Sequence, residues 1–255
     1  MDIKWYGTAS ISIESNNEKI LFDPFVPMLG SKIDVHLDDF INFDKIFITH
    51  GHFDHIGSLK KIYKKNNKIK IYCTKTPYTY LNKKGIPLDN LVLINYNDVI
   101  ELNGFKIKAY HSKHIMYDDD AIKKIILDIN SYKYLYNVPL IVYKNKVCLE
   151  NEETLFYDIE VENKHIFLMG SLGYDKDVIY PSRCDLFIMP YQGKKDVLTP
   201  ALEIIDLLKP KVIMLSHFDN TFPPVSKNVS TLDIEEALKD KIIFIKPKYK
   251  EVIKI

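Results

Sequence analysis

Residues 45–49, Lys-Ile-Phe-Ile-Thr, form an apolar run that leads without a break into His50-Gly51-His52-Phe53-Asp54-His55-Ile56-Gly57. Four side chains with metal-binding atoms thus fall within six positions, where extended chain gives way to a turn. Borderline divalent cations such as Zn²⁺ take imidazole nitrogen and carboxylate oxygen in a near-tetrahedral arrangement. A solvated loop with clustered histidines is the bland alternative. The strand directly before the histidines supplies the structural context that such a motif needs.

The chain around this loop is of ordinary globular composition. Its 255 residues are 46% hydrophobic, enough for one substantial core or two small ones. Basic and acidic residues nearly cancel, at a net charge of +1, so no global basic field argues for nucleic acid. Only Arg183 among the 35 basic residues is an arginine, which reads as genome composition rather than function. Cys73, Cys148 and Cys184 are odd in number and far apart, a pattern that fits buried thiols in a reducing compartment. The first residues enter a strand with no basic-then-apolar leader, and no apolar run approaches the about 20 residues of a membrane span. A cytoplasmic protein is expected.

Alternation predicts strands at residues 3–6, 9–14 and 19–22, closed by Asp23-Pro24, and again at 69–73 and 91–95. Asn103-Gly104 marks a hairpin between 99–102 and 105–110, which delivers its second strand to His111 and His114. Further strands are expected at 155–161, 165–169, 185–189, 211–216, 242–245 and 252–255. Helices are expected near 58–65 and 232–239, and after Thr76-Pro77 and Thr199-Pro200, each read as an N-cap followed by proline. Strands alternating with helices argue for sheets covered by helices. The triplets His52-Phe53-Asp54 and His217-Phe218-Asp219 hint at two related halves. No linker rich in Gly, Ser or Pro divides the chain, so one domain spanning 1–255 is expected.

His-x-His-x-Asp-His after a strand resembles the signature of the metallo-β-lactamase superfamily at every ligand position. The resemblance implies an α/β fold, a four-layer αββα sandwich of two mixed β-sheets flanked by helices. It also implies ligand roles for His50 and His52 at a first metal, and for Asp54, His55 and His217 at a second. The remaining first-site ligand is His114 or His111. The run Lys113-His114-Ile115-Met116-Tyr117-Asp118 resembles a bacterial subgroup that favours His114, which would leave His111 to orient a ligand from behind. Tyr180-Pro181, Met189-Pro190-Tyr191-Gln192-Gly193 and the stretch from His217 to Pro224 extend that resemblance.

One position departs from the superfamily pattern. Most members carry a metal-bridging aspartate in a Gly-Asp motif, and here Gly170-Ser171 stands in its place. A neutral hydroxyl is a poor cation ligand, so the second site is expected to be weak or to borrow a carboxylate, with Asp219 and Asp118 as candidates. Gly-Ser is also a trait of the subgroup.

What the resemblance implies is a hydrolase of an ester, lactone or phosphodiester acting through a metal-bound hydroxide, with Asp54 orienting the nucleophile and Ser171, Asp219 or Tyr191 as proton donor. One or two Zn²⁺ ions are expected, with Fe or Mn as alternatives, and a small-molecule substrate. Self-association into a homo-oligomer is left open. The competing reading is a non-catalytic metal- or ligand-binding protein that has kept the fold. Residues 121–151 lie outside the metal pattern. Their Tyr132, Tyr134, Tyr136 and Tyr143 read either as an aromatic lid over the site or as ordinary packing.

Overall fold

The computed structural model describes residues 1–115 and 127–255. The strands are β1 (Asp2–Trp5), β2 (Ile11–Ser15), β3 (Glu18–Phe22), β4 (Lys45–Phe47), β5 (Lys70–Cys73), β6 (Leu91–Leu93) and β7 (Val99–Leu102). They continue with β8 (Phe105–Ser112), β9 (Thr154–Val161), β10 (Lys164–Met169), β11 (Leu186–Pro190), β12 (Val212–Ser216), β13 (Ile243–Ile245) and β14 (Val252–Lys254). Two seven-stranded sheets result, ordered β14-β1-β2-β3-β4-β5-β6 and β13-β12-β11-β10-β9-β8-β7. Each begins as an antiparallel meander and ends in parallel strands, β3 to β6 in one and β10 to β13 in the other.

The period-two pattern of the strands decides the layering. Ile20 and Phe22 of β3 enter the core between the sheets with Ile107, Tyr157, Ile166 and Ile188, while Leu21 points to the opposite face. Leu21, Ile46 and Ile71 there meet Leu59 and Ile62 of helix Leu59–Lys65 and Leu81 of helix Lys75–Lys83. On the far side, Phe187, Met189, Ile213 and Leu215 meet Ala201, Ile204 and Leu208 of helix Leu198–Leu208, and Ile234 of helix Leu232–Leu238. Three apolar interfaces thus separate four layers, helix, sheet, sheet and helix. Each fully buried Ile, Leu or Phe in them contributes roughly 1.5–3 kcal/mol. β11 is buried on both faces, as a central parallel strand must be, and for that reason reads as a continuous apolar run.

Both Thr-Pro pairs lie two residues deeper in their helices than the sequence predicts. The helices begin at Lys75 and Leu198, so Pro77 and Pro200 sit third in the first turn, where no intrahelical N–H bond is lost. Capping acids serve instead: Glu153 accepts from the Thr76 N–H at 2.7 Å and Asp196 from the Thr199 N–H at 3.1 Å. The matching His-Phe-Asp triplets are not equivalent either. His52 follows β4, the first parallel strand after its meander, whereas His217 follows β12, the second.

Strand direction collects the loops that matter. β3 and β4 run parallel, as do β10, β11 and β12, and β8 shares their direction because β9 is antiparallel to both β8 and β10. The C-terminal ends of these strands carry Asp23, His50, His114, Ser171, Gln192 and His217. No described helix is long and apolar enough to cross a membrane.

Candidate metal centre

β4 ends at Phe47, and Ile48 stays extended by donating its N–H to Tyr72. Thr49 then turns the chain, with its N–H and hydroxyl both bonded to the Asp23 carboxylate at 2.8 and 2.6 Å. This anchor launches His50 into the interior and His52 to the start of a single helical turn, Phe53–Ile56, which carries Asp54 and His55. His114 arrives from the end of β8 and His217 from the end of β12, where His217 takes the left-handed backbone at φ 54°.

Six of the residues expected as ligands converge in two trios. The ligand atoms of His50, His52 and His114 lie within 4.8 Å of one another, and so do those of Asp54, His55 and His217. The trios adjoin, with the rings of His50 and His55 3.8 Å apart between centroids. His52 Nδ1 stands 3.2 Å from His114 Nε2, and His50 Nε2 is buried with no hydrogen-bond partner. A buried imidazole nitrogen without a partner is costly in a finished structure, and a cation would satisfy it. The three nitrogen donors match the chemistry of a divalent transition metal, so the residues present fit such a group.

The two trios differ electrostatically. Burial lowers His50 and His52 and pushes His114 down to about 3, with the neighbouring histidines adding repulsion. These three imidazoles are therefore neutral near pH 7, the form that binds metal. In the second trio, burial opposes ionisation of Asp54, but His55, His217 and His52 together outweigh it and hold the carboxyl well below its usual range. Burial also works against the His55 cation, yet Asp23 and Asp54 raise it overall. Asp54 Oδ2 lies 3.1 Å from His217 Nε2 and 3.5 Å from His55 Nε2, so this trio already satisfies itself.

Asp23 is the important residue that sequence reasoning missed. Its carboxylate is fully buried and lies 2.9 Å from His55 Nδ1, behind the second trio. The available signal was an acid directly after an apolar strand, read only as a turn. Gln192 plays the corresponding part for His217, its side-chain amide 2.9 Å from Nδ1.

Other expected residues lie elsewhere. His111 is held at both ring nitrogens away from the trios, Nδ1 by Asp175 at 2.9 Å and Nε2 at 3.1 Å from the Glu152 carbonyl, so it orients none of the six. β8 runs on to Ser112, which places His111 within the strand opposite Leu155 and leaves His114 beyond its end. The Asp219 carboxylate accepts the Thr8 N–H at 3.0 and 3.1 Å and the Tyr249 hydroxyl at 3.3 Å. It is therefore committed outside the cluster, and burial pushes its pKa up to about 6. Asp118 lies outside the described residues. Ser171 does border the centre, where its hydroxyl accepts the Ile115 N–H at 3.0 Å and so fixes the chain next to His114. Gly170 lies so close to Thr49 that an added Cβ would stand 1.9 Å from its hydroxyl.

A cavity of about 330 Å³ opens over the trios. His52, Asp54, His114, Ser171 and His217 meet it among apolar walls that include Phe53, Leu172 and Phe222. Tyr191 is not among its lining residues, and burial raises that hydroxyl's pKa to about 12. Of segment 121–151, residues 121–126 lie outside the described residues; in the rest, Ile141 joins the core and Asn145 reaches the cavity wall, while Tyr132, Tyr136 and Tyr143 stay exposed. The segment is thus partly packing and partly wall.

Comparison with known proteins agrees with this geometry. A β-lactamase superfamily domain matches residues 2–217, most of the chain. A UPF0173 metal-dependent hydrolase of Methanocaldococcus jannaschii is 25% identical over 99% of this chain and 100% of its own. A second, from Geobacillus thermodenitrificans, is 28% identical over 89% of each. Among solved structures, the metallo hydrolase Igni18 of Ignicoccus hospitalis has a TM-score of 0.65 at 16% identity, covering 99% of this chain and 97% of its own. The metallo-β-lactamase fold protein YhfI of Bacillus subtilis has a TM-score of 0.62 at 12% identity, covering 99% and 98%. With the four-layer sandwich and its histidine-rich strand ends, these likenesses place the chain in the metallo-β-lactamase superfamily.

Proposed function

We propose that the protein is a metal-dependent hydrolase of an ester, lactone or phosphodiester, with His50, His52 and His114 holding the principal cation. The observation that carries this reading is the convergence of three neutral histidines on one point beneath an apolar-walled cavity, with His50 Nε2 buried and unpartnered. Asp54, His55 and His217 offer a second, weaker site, since their partners are already one another and Ser171 adds no charge there. Zinc suits this donor set, with iron or manganese as alternatives that availability decides. A bound cation supplies Lewis acidity, activating a water near neutral pH and stabilising charge that develops on the substrate's oxygen.

The chain's own groups then divide the remaining work. Asp54, kept ionised, accepts a hydrogen bond from the attacking water and orients it. The apolar walls limit bulk water, so each charge in the cavity acts through a lower effective dielectric. Of the three donors considered from sequence, only the Ser171 hydroxyl lines the cavity, at hydrogen-bond reach of the loop that carries His114.

The test is metal analysis of protein purified without chelator, beside a panel of ester, lactone and phosphodiester substrates. Bound metal that is lost in His50→Ala, with turnover lost in parallel, is the expected result. Metal retained in His50→Ala would remove the site assignment. Metal bound with no turnover on any substrate class would favour the non-catalytic binding protein.

A further inference from the structure

The imidazoles of the two trios are not held alike. His50 Nδ1 faces the Thr49 hydroxyl at 3.0 Å, His55 Nδ1 the Asp23 carboxylate at 2.9 Å, and His217 Nδ1 the Gln192 amide at 2.9 Å. Each of these rings has a partner behind it that fixes its orientation. His114 differs, for its Nδ1 is buried and has no hydrogen-bond partner among the described residues. It takes its direction from its backbone and its packing. That backbone lies past the end of the ladder, since β8 pairs with β9 only as far as Ser112, opposite Thr154.

One loop, residues 171–180, holds this stretch instead. The Ser112 hydroxyl donates to the Gly173 carbonyl at 2.6 Å, and an added Cβ on Gly173 would stand 2.3 Å from the Lys113 carbonyl oxygen. The Tyr180 hydroxyl donates to the His111 carbonyl at 2.7 Å. Asp175 ties these contacts together. Its buried carboxylate takes His111 Nδ1 at 2.9 Å with one oxygen and Lys113 Nζ at 3.2 Å with the other. Its own N–H donates to the Tyr180 hydroxyl at 2.9 Å, which aims that hydroxyl at the His111 carbonyl. The two side chains it grips stand three residues and one residue before His114. Lys113 is exposed and its pair adds little by itself, so the half-buried His111 is the firmer hold, completed at Nε2 by the Glu152 carbonyl.

We propose that Asp175 is a positioning residue for the first metal site: by gripping His111 and Lys113 it sets where the chain leaves β8, and so where His114 Nε2 stands against His50 and His52. The proposal rests on the hydrolase reading above, which puts the principal cation on that trio. It also gives His111 a use. The His111 ring bonds to none of the six ligands and acts on His114 through the chain that joins them.

Cobalt(II) titration of the full chain tests this, because the visible d–d bands of cobalt report the arrangement of its ligands. One equivalent is added to chelator-treated wild type, Asp175→Ala, Asp175→Asn and Tyr180→Phe, each well below its melting temperature and checked for fold by circular dichroism. Asp175→Ala should bind that equivalent about 10–100-fold more weakly and shift its visible bands. Asp175→Asn keeps an oxygen that accepts from His111 and should recover most of the wild-type spectrum. Tyr180→Phe should move the bands in the same direction as alanine, by less. If Asp175→Ala does not fold, Tyr180→Phe decides, and wild-type bands in it overturn the proposal. A lowered melting temperature in Asp175→Ala with wild-type affinity and bands makes the residue structural only and overturns the proposal, while the hydrolase reading stands. Wild type that binds neither cobalt nor zinc overturns the hydrolase reading, and this proposal with it.

Discussion

Asp23 and His55 form a buried ion pair, with 2.9 Å between the carboxylate and Nδ1, and the same carboxylate holds the Thr49 N–H and hydroxyl. One side chain directly after β3 therefore both shapes the turn after β4 and sets the charge of a second-trio imidazole. Asp23→Asn keeps most of the shape and removes the charge. Second-site metal affinity should fall about 10–100-fold, with the first site intact, in a competitive metal titration. Asp23→Ala strips partners from buried Thr49 and His55 groups, each at a cost of about 1–3 kcal/mol, and should lower the melting temperature markedly. Unchanged second-site affinity in Asp23→Asn would show that Asp23 serves the fold alone.

Ser171 can be changed in two informative directions. Ser171→Asp places a carboxylate beside both trios, and one of its oxygens can still accept the Ile115 N–H. Second-site occupancy should rise, as read by metal content after dialysis against limiting zinc. Ser171→Ala leaves that buried N–H without its acceptor, at a cost of about 1–3 kcal/mol, and loosens the chain next to His114. First-site affinity should then weaken. Equal metal content in all three proteins would remove Ser171 from any account of the centre.

Much of this was legible in the sequence because it is local. The ligand density of His50 to His55 is contiguous, and His217 announces itself at the end of an apolar strand. What was not legible depends on pairing between distant strands. Asp23 matters because β3 lies beside β4, with Phe22 opposite Phe47, and no local pattern reveals that neighbour. The choice between His114 and His111 turns on where β8 stops, two residues past the expected end, since each added strand residue reverses the face of the next side chain. The Thr-Pro pairs misled for a related reason. Proline is tolerated throughout a first helical turn, and the acid that caps residue 76 comes from 77 positions away.

Gly170 gives a packing test of the centre. Its Cα faces Thr49 so closely that an alanine methyl would lie 1.9 Å from Oγ1 and 2.6 Å from Cβ. Thr49 is buried and tied to Asp23, so it has no free direction in which to retreat. Gly170→Ala should cost about 1–3 kcal/mol by overpacking and displace the strand end that carries His50. Thermal unfolding and metal content should therefore decline together. A stable Gly170→Ala with full metal content would mean that this contact relaxes at little cost.

The metal-free protein should lose stability on mild acidification. Burial lowers His50, His52 and His114, the last to about 3, whereas in the unfolded chain each titrates near about 6.5. Below about pH 6.5 the unfolded state takes up protons that the folded state refuses, so stability present above that pH is lost progressively toward about pH 3. Asp219, raised by burial to about 6, acts with the opposite sign between about 3.9 and 6, so that with His55 two groups oppose three. His55 is raised on balance, so its contribution is fully present below about pH 6.5 and fades as pH rises through its folded value. Each unmatched proton contributes about 1.4 kcal/mol per pH unit. The melting temperature of chelator-treated protein should fall from pH 7 to pH 5, and His114→Ala should flatten that slope. A melting temperature that rises over the same interval would contradict the assignment of these three imidazoles as buried and neutral.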